Sequence, residues 1–332
     1  MNVLIMRPHR CLPYVQRNSM KKYVWKRLLQ LIPILFGITF LSFAMMRAAG
    51  SDAVTQKMEN RGTVVSQEVV DQAREELGLD KPFLTQYFVW LGNILHGDMG
   101  HSYVDGRDVF SQFISKLPAT LLLTAVSILL TIVISIPLGI LSAVKQNKIT
   151  DYIIRMCSFI GNSLPNFFVA LLLMYLFAIK FKIFPVISNE VSLTGVALPA
   201  ITLAIAMSAK YMRQVRATVL DELGKEYVVG AKARGIPFSV TLWKNVFRTS
   251  LVTIITLLTL SIGSLLGGTA IVESIFMWDG VGKLAVDAIN MRDYPVIQAY
   301  VIWMAIIYVC INLITDLSYR RLDPRIRLGG KA

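Results

Sequence analysis

Long apolar runs separated by polar segments organise most of this chain. Leu28–Met46, Leu117–Val144, Met156–Ile179, Leu251–Val272 and Ile297–Thr315 are each close to the roughly 20 residues that a bilayer-spanning helix needs. A further run, Val196–Ala209, reaches that length only when Leu193 and Tyr211 are included. The predicted fold class is therefore an all-α integral membrane protein with six transmembrane helices. Pro33 and Gly37 inside the first run are compatible with this, because neighbouring groups in a bundle satisfy the backbone that they free.

Two polar segments are longer than a turn requires. In 47–116, Ser66–Leu77 has the spacing of an amphipathic helix stopped by Gly78. Pro82–Leu95 offers a second helix carrying Phe83, Tyr87, Phe88 and Trp90, and the turn Gly97–Gly100 follows it. This segment is expected to be a small folded lobe. The other segment, Glu226–Ser250, is charged and reads as two short helices. Gly235 is placed to end the first in a left-handed turn, and Pro237 can open the second. Tyr227, Val228 and Ala231 fall on one side of the first helix. That face suits either docking to a partner or lying on lipid headgroups. The expected organisation is an extension at 1–19, read as disordered from its lack of helical period, then a first span in 20–46 and the lobe at 47–116. A five-helix core at 117–315 carries the loop 210–250, and a tail at 316–332 ends the chain.

Composition agrees: 55% of residues are hydrophobic, with a mean hydropathy of +0.57. The net charge of +13 does not point to nucleic acid, because the basic residues sit between apolar spans and not on a soluble domain. The amino-terminal flank, Lys145–Arg155, Lys210–Ser250 and the segment after Asp316 are basic; the first loop and Glu273–Val296 are acidic. With basic flanks inside, both termini and the 210–250 loop are expected in the cytoplasm and the lobe outside. A cleaved signal peptide does not fit the start, since the first apolar run is too long and no small-residue cleavage site follows it.

Candidate chemistry is sparse. Cys11, Cys157 and Cys310 are too scattered for a disulfide framework or a zinc site, and His96 and His101 lack the spacing of metal ligands. Gly280–Leu284 lacks the first glycine and the hydroxyl of a phosphate-cradling loop, so no nucleotide site is expected. Gly263, Gly267 and Gly268 put small residues on one helix face, suited to close helix packing or to lining a pathway. Asn162, Ser163 and Asn166 flank Pro165; they either line a pathway or, the favoured reading, satisfy backbone freed by the proline.

Several blocks, taken in order, resemble the permease subunit of the peptide/nickel family of ATP-binding-cassette importers. They are Tyr23–Leu29, Leu77–Pro82 with Gln86-Tyr87 and Trp90, Ser163–Phe167, Glu226–Gly235, Val272–Leu284, Arg292–Gln298 and Leu322–Arg327. Tyr227-Val228 and Asn245–Arg248 stand where the wider importer group has an alanine pair and an Ile-x-Leu-Pro tail, which is similar to the peptide/nickel branch. Asp279 stands where that branch usually has proline, and residues 1–19 have no counterpart.

The resemblance implies a bacterial inner-membrane subunit that is not itself an enzyme and carries no cofactor. Its partners would be a second permease subunit, two ATPases holding ATP and magnesium, and an extracytoplasmic substrate-binding protein. It implies that Glu226, Tyr227, Val228, Ala231, Ala233, Arg234 and Gly235 form a coupling helix docked on an ATPase, and that peptides or nickel pass by alternating access. Two rivals belong to other classes. A proton-coupled carrier lacks an obvious relay, since Glu273 and Asp316 lie at the ends of spans. A membrane-anchored scaffold leaves the 226–250 loop unexplained.

Overall fold

A computed structural model describes residues 14–48, 75, 80–186 and 191–322. The predicted helix Ser66–Leu77, apart from Glu75, lies outside the described residues, as do 1–13 and the end of the tail. Among the described residues, regular structure is helical, apart from an isolated bridge between His101 and Asp108. The helices are α1 (Tyr14–Ala48), α2 (Phe83–Leu95), α3 (Val109–Val144), α4 (Ile149–Ser163), α5 (Asn166–Leu173), α6 (Leu193–Leu223) and α7 (Glu226–Ala233). After one helical turn at Phe238–Val240 and a π-helical segment at Thr241–Val246 come α8 (Phe247–Ile275), α9 (Val281–Asn290) and α10 (Tyr294–Leu322).

Four of these contain stretches long and apolar enough to cross a bilayer: Leu29–Ala48 in α1, α3, α6, and Tyr294–Thr315 in α10. The predicted Val196–Ala209 run lies in the first half of α6, a 31-residue helix whose start is capped by Ser192 Oγ accepting from Gly195 N at 3.1 Å. Leu251–Val272 lies within α8. The expected single span Met156–Ile179 is corrected: it is a bent pair, α4 followed by α5 and the π-helical Met174–Lys180, turned through 101°. The bend falls at Leu164-Pro165, where the proline pushes Leu164 out of the helical region to ψ 132°. Counted as one span, the pair is a fifth. The helix α1 also starts at Tyr14, ahead of the predicted Met20.

The central pairing is α3 along α6. One buried cluster joins Leu123, Leu198, Leu203, Val272 and Trp278; another joins Ile140, Val215, Val219, Val246 and Ile254. The order of these residues makes α3 and α6 parallel and α8 antiparallel to both. Close approach is possible because Gly139 has no side chain: a Cβ there would sit 2.6 Å from Val215 Cβ. Two buried hydroxyls of α3 return to their own helix, Ser127 Oγ to Leu123 O and Thr131 Oγ1 to Ser127 O, each at 2.7 Å. Towards the chain start, Thr39 of α1 meets the Tyr87 hydroxyl of α2 at 2.9 Å, within a cluster of Phe40, Phe43, Phe83 and Trp90.

This packing gives the bundle two distinct ends. At one, Ser102 donates to Asp293 at 2.5 Å, Lys116 pairs with Asp279 and Trp278 Nε1 donates to Ala119 O at 3.0 Å. At the other, Ser142, Asp151 and Arg216 meet, and the 224–246 segment folds back on α3 and α6. The described parts of the predicted acidic loops lie at the first end, and the basic Lys145–Arg155 segment and 210–250 loop at the second.

Candidate functional site at the Glu226–Gly235 helix

At the basic end, α6 stops at Leu223 and α7 begins three residues later. The corner is tied by Glu222, which is buried: it accepts from Tyr227 Oη at 3.0 Å and pairs with Lys225. A carboxylate in the last turn of a helix opposes the helix dipole, so it is tolerated where such donors surround it. Burial, reinforced by the Glu222 carboxylate, pushes the Tyr227 hydroxyl up to about 12, so it remains a donor throughout the physiological range. Sequence reasoning passed over Glu222; the signal available was an acid at a helix end with a lysine three residues on.

The far end of α7 matches expectation. Gly235 has φ +74°, Ile236 N donates to Ala231 O at 3.1 Å, and Gly235 N donates to Lys232 O at 3.0 Å. These paired bonds satisfy the last carbonyls of the helix and fix the direction in which the chain leaves. Pro237 precedes the next helical turn, as predicted.

The faces of α7 differ from the expected arrangement. Ala231 is buried and Val228 packs on the cluster of Val215, Val219, Leu242 and Val246, so this face is turned into the protein's own core. The shared side of Val228 and Ala231 follows from their spacing, but spacing does not say what covers it. Tyr227 is committed to Glu222. Outside lie Glu226, Val229, Lys232, Ala233, Arg234 and Gly235, with Val229 65% exposed.

The other named residues are not brought into this site. Gly263 is buried in α8, where an added Cβ would come within 2.8 Å of the Tyr308 ring of α10. Gly267 and Gly268 are on α8, and their surroundings lie outside the description. Asn162 and Asn166 are exposed on either side of the Leu164-Pro165 bend. Ser163, the third of these, donates to Phe159 O at 2.8 Å, one turn back on its own helix and not to Gly161 O, the carbonyl that Pro165 leaves without its usual donor. His96 Nδ1 contacts Gly92 O at 2.8 Å, and no cluster of three metal-ligating side chains occurs among the described residues.

Two further buried carboxylates tie elements together: Asp151, which sequence reasoning passed over, and Glu273, which it read only as an acid at the end of a span. Asp151 takes both Arg216 Nε and Nη2 at 2.8 Å, Ser142 Oγ at 2.5 Å and Asn147 N at 3.0 Å, which joins α3, α4 and α6. Its only sequence signal is a lone acid in the basic Lys145–Arg155 segment. At the opposite end, Glu273 accepts from Thr120 Oγ1 at 2.8 Å and Lys283 N at 2.9 Å, holding the start of α9 against α3 and α8. Such groups are paid for by their donors, since an unpartnered buried charge is costly.

Comparison with known proteins places this arrangement. Residues 135–328 match the family described as binding-protein-dependent transport system inner membrane component, and residues 20–124 match the amino-terminal segment of such components. The chain belongs to this family. It is a permease subunit of the ATP-binding-cassette importers, a multi-pass membrane protein and not the ATPase. This permease is 40% identical over 317 residues to the oligopeptide transport system permease protein AppB of Bacillus subtilis (strain 168), covering 92% of this chain and 99% of that protein. It is 33% identical over 308 residues to the glutathione transport system permease protein GsiC of Escherichia coli (strain K12), covering 93% and 99%. The fold is shared with a chain of the MetNI methionine ABC transporter in an inward-facing conformation, at TM-score 0.53 and 16% identity over 64% of this permease and 96% of that chain. A chain of an amino acid ABC transporter gives TM-score 0.51 at 16% identity, covering 64% and 94%.

Proposed function

We propose that this permease carries peptides into the cytoplasm, with the exposed side of α7 seated on an ATPase. Binding and hydrolysis of ATP, with magnesium, belong to two such subunits; a second permease completes the pathway, and an extracytoplasmic binding protein delivers the substrate. The observation that carries the reading is the two-sided build of α7. Val228 and Ala231 anchor it to the ends of α3 and α6, while Glu226, Val229 and Ala233, spaced as one face, are left outside. A helix held this firmly transmits a push to the helices beneath it, as a coupling lever must. The two relatives above are named for oligopeptide and glutathione, and peptides are the substrate class common to both names. The basic end of the bundle, with both termini, is assigned to the cytoplasm by its charge. On this reading α8 is the remaining span: its 29 residues reach about 43 Å.

The test is co-purification with the cognate ATPases. Glu226→Lys and Val229→Asp are expected to reach the membrane at normal level yet bind the ATPases weakly and lose ATP-driven uptake. A helix that merely lay on anionic headgroups would do the reverse for Glu226→Lys, gripping the membrane more tightly with the ATPases still bound. Undiminished binding and uptake in both variants would sink the docking assignment.

A further inference from the structure

At the basic end a second feature stands apart from α7. Between α4 and α6 runs an open cleft of about 530 Å³, lined by Tyr152, Arg155, Met156, Phe159, Arg213 and Arg216. Three of its six residues are arginines. Asp151, buried behind the wall, neutralises Arg216 through a two-point pair. Arg155 and Arg213 are exposed and pair with no acid among the described residues; Arg155 lies over the Tyr152 ring, 5.7 Å from its centre. The cleft therefore keeps a net charge of about +2, with guanidinium forks suited to phosphate oxygens.

Its other wall is apolar and uncovered: Met156 is 65% and Phe159 68% exposed. Tyr152, Met156 and Phe159 follow each other along one face of α4. The order along the bundle axis is informative. Asp151 is level with Arg216 and Ser158 bonds to Ala209 O, so Phe159 lies beside the end of the apolar part of α6. Arg155 and Arg213 lie nearer the basic end, where Lys210, Arg213 and Arg216 succeed the apolar run on α6. The gradient from cationic to apolar thus runs in the same sense as that from headgroup to acyl chain in a leaflet.

We propose that this cleft binds one anionic phospholipid, with Arg155 and Arg213 holding the phosphate and Met156 and Phe159 lying along the acyl chains. The assignment goes beyond the transport reading and depends neither on the substrate nor on what docks at α7. The lipid would fasten α4 to α6 at the bilayer face, next to the buried Asp151–Arg216 pair.

The test uses the assembled transporter in mild detergent, with retained lipids counted by native mass spectrometry after titration with phosphatidylglycerol or phosphatidylcholine. The expected result is one phosphatidylglycerol retained in preference to phosphatidylcholine. Arg155→Gln with Arg213→Gln should weaken it by about tenfold or more, and Lys at both positions should restore part of the binding. Both changes leave the Asp151–Arg216 pair in place, so membrane level should hold. Lys145→Gln with Lys148→Gln removes the same charge from exposed positions outside the cleft and should leave retention unchanged. Equal retention of the two lipids overturns the proposal, and so does equal loss in both double variants. Displacement by inorganic phosphate would assign the arginines to a soluble anion instead. Protection of the arginines from phenylglyoxal in delipidated transporter would show protein covering the cleft, which also overturns it.

Discussion

Replacing Gly235 isolates the backbone contribution to the α7 end. The residue sits at φ +74°, and a Cβ built there meets nothing within 4 Å. Steric crowding is therefore absent from the folded subunit, and the penalty is that of placing a side chain in the left-handed region. For Ala this is about 1 kcal/mol, and for a β-branched Val about 2 kcal/mol, roughly 5-fold and 30-fold in the population of the native helix end. Asn tolerates this region better, so it should lie closest to wild type. The bonds at risk are Ile236 N to Ala231 O and Gly235 N to Lys232 O, which set where α7 stops relative to Pro237. These losses are local, so insertion and the α3–α6 core should be unaffected. The assay is twofold: co-purified ATPase per permease, and peptide uptake per ATP hydrolysed in proteoliposomes. Retention should fall in the order Gly, Asn, Ala, Val, with hydrolysis partly uncoupled from uptake in the Val variant. If Asn proved as damaging as Val, conformational strain would be the wrong explanation. If Val coupled normally, the geometry of this helix end would not matter to docking at all.

Two other perturbations test the fold and its orientation. Gly139→Ala places a Cβ 2.6 Å from Val215 Cβ and 3.0 Å from Met212 O, so α3 and α6 must part; a loss of about 1–3 kcal/mol should lower thermal stability and assembled yield. Val215→Gly should relieve it in the double variant, whereas Gly37→Ala, with nothing within 4 Å, should be silent; absence of that rescue would refute the direct contact. For orientation, in a background with the native cysteines replaced, Arg107→Cys should react with an impermeant thiol reagent on intact cells and Ser239→Cys should not. The opposite pattern would invert the bundle.

Local signals carried far in this protein because membrane helices announce themselves by length and apolarity. The spans in α1, α3, α6 and α10, the helix at Phe83–Leu95, the left-handed turn at Gly235 and the break before Pro237 were all readable, since each depends on a few neighbouring residues. Proline at 165 was readable too, but not that the chain would turn through 101°; the bend depends on where α4 and α5 find α6 to pack against. The same limit applies at the candidate site. Periodicity put Val228 and Ala231 on one face, while only the folded bundle decided that this face is buried and that Glu226 and Val229 look outward. Asp151 and Arg216 are 65 positions apart, and Thr120 and Glu273 are 153 apart. No local pattern marks such pairs, because a buried carboxylate is stabilised by donors that arrive from elsewhere in the chain. Sequence determines which segments enter the bilayer; the packing of those segments decides which charges they bury together and which side chains remain for a partner.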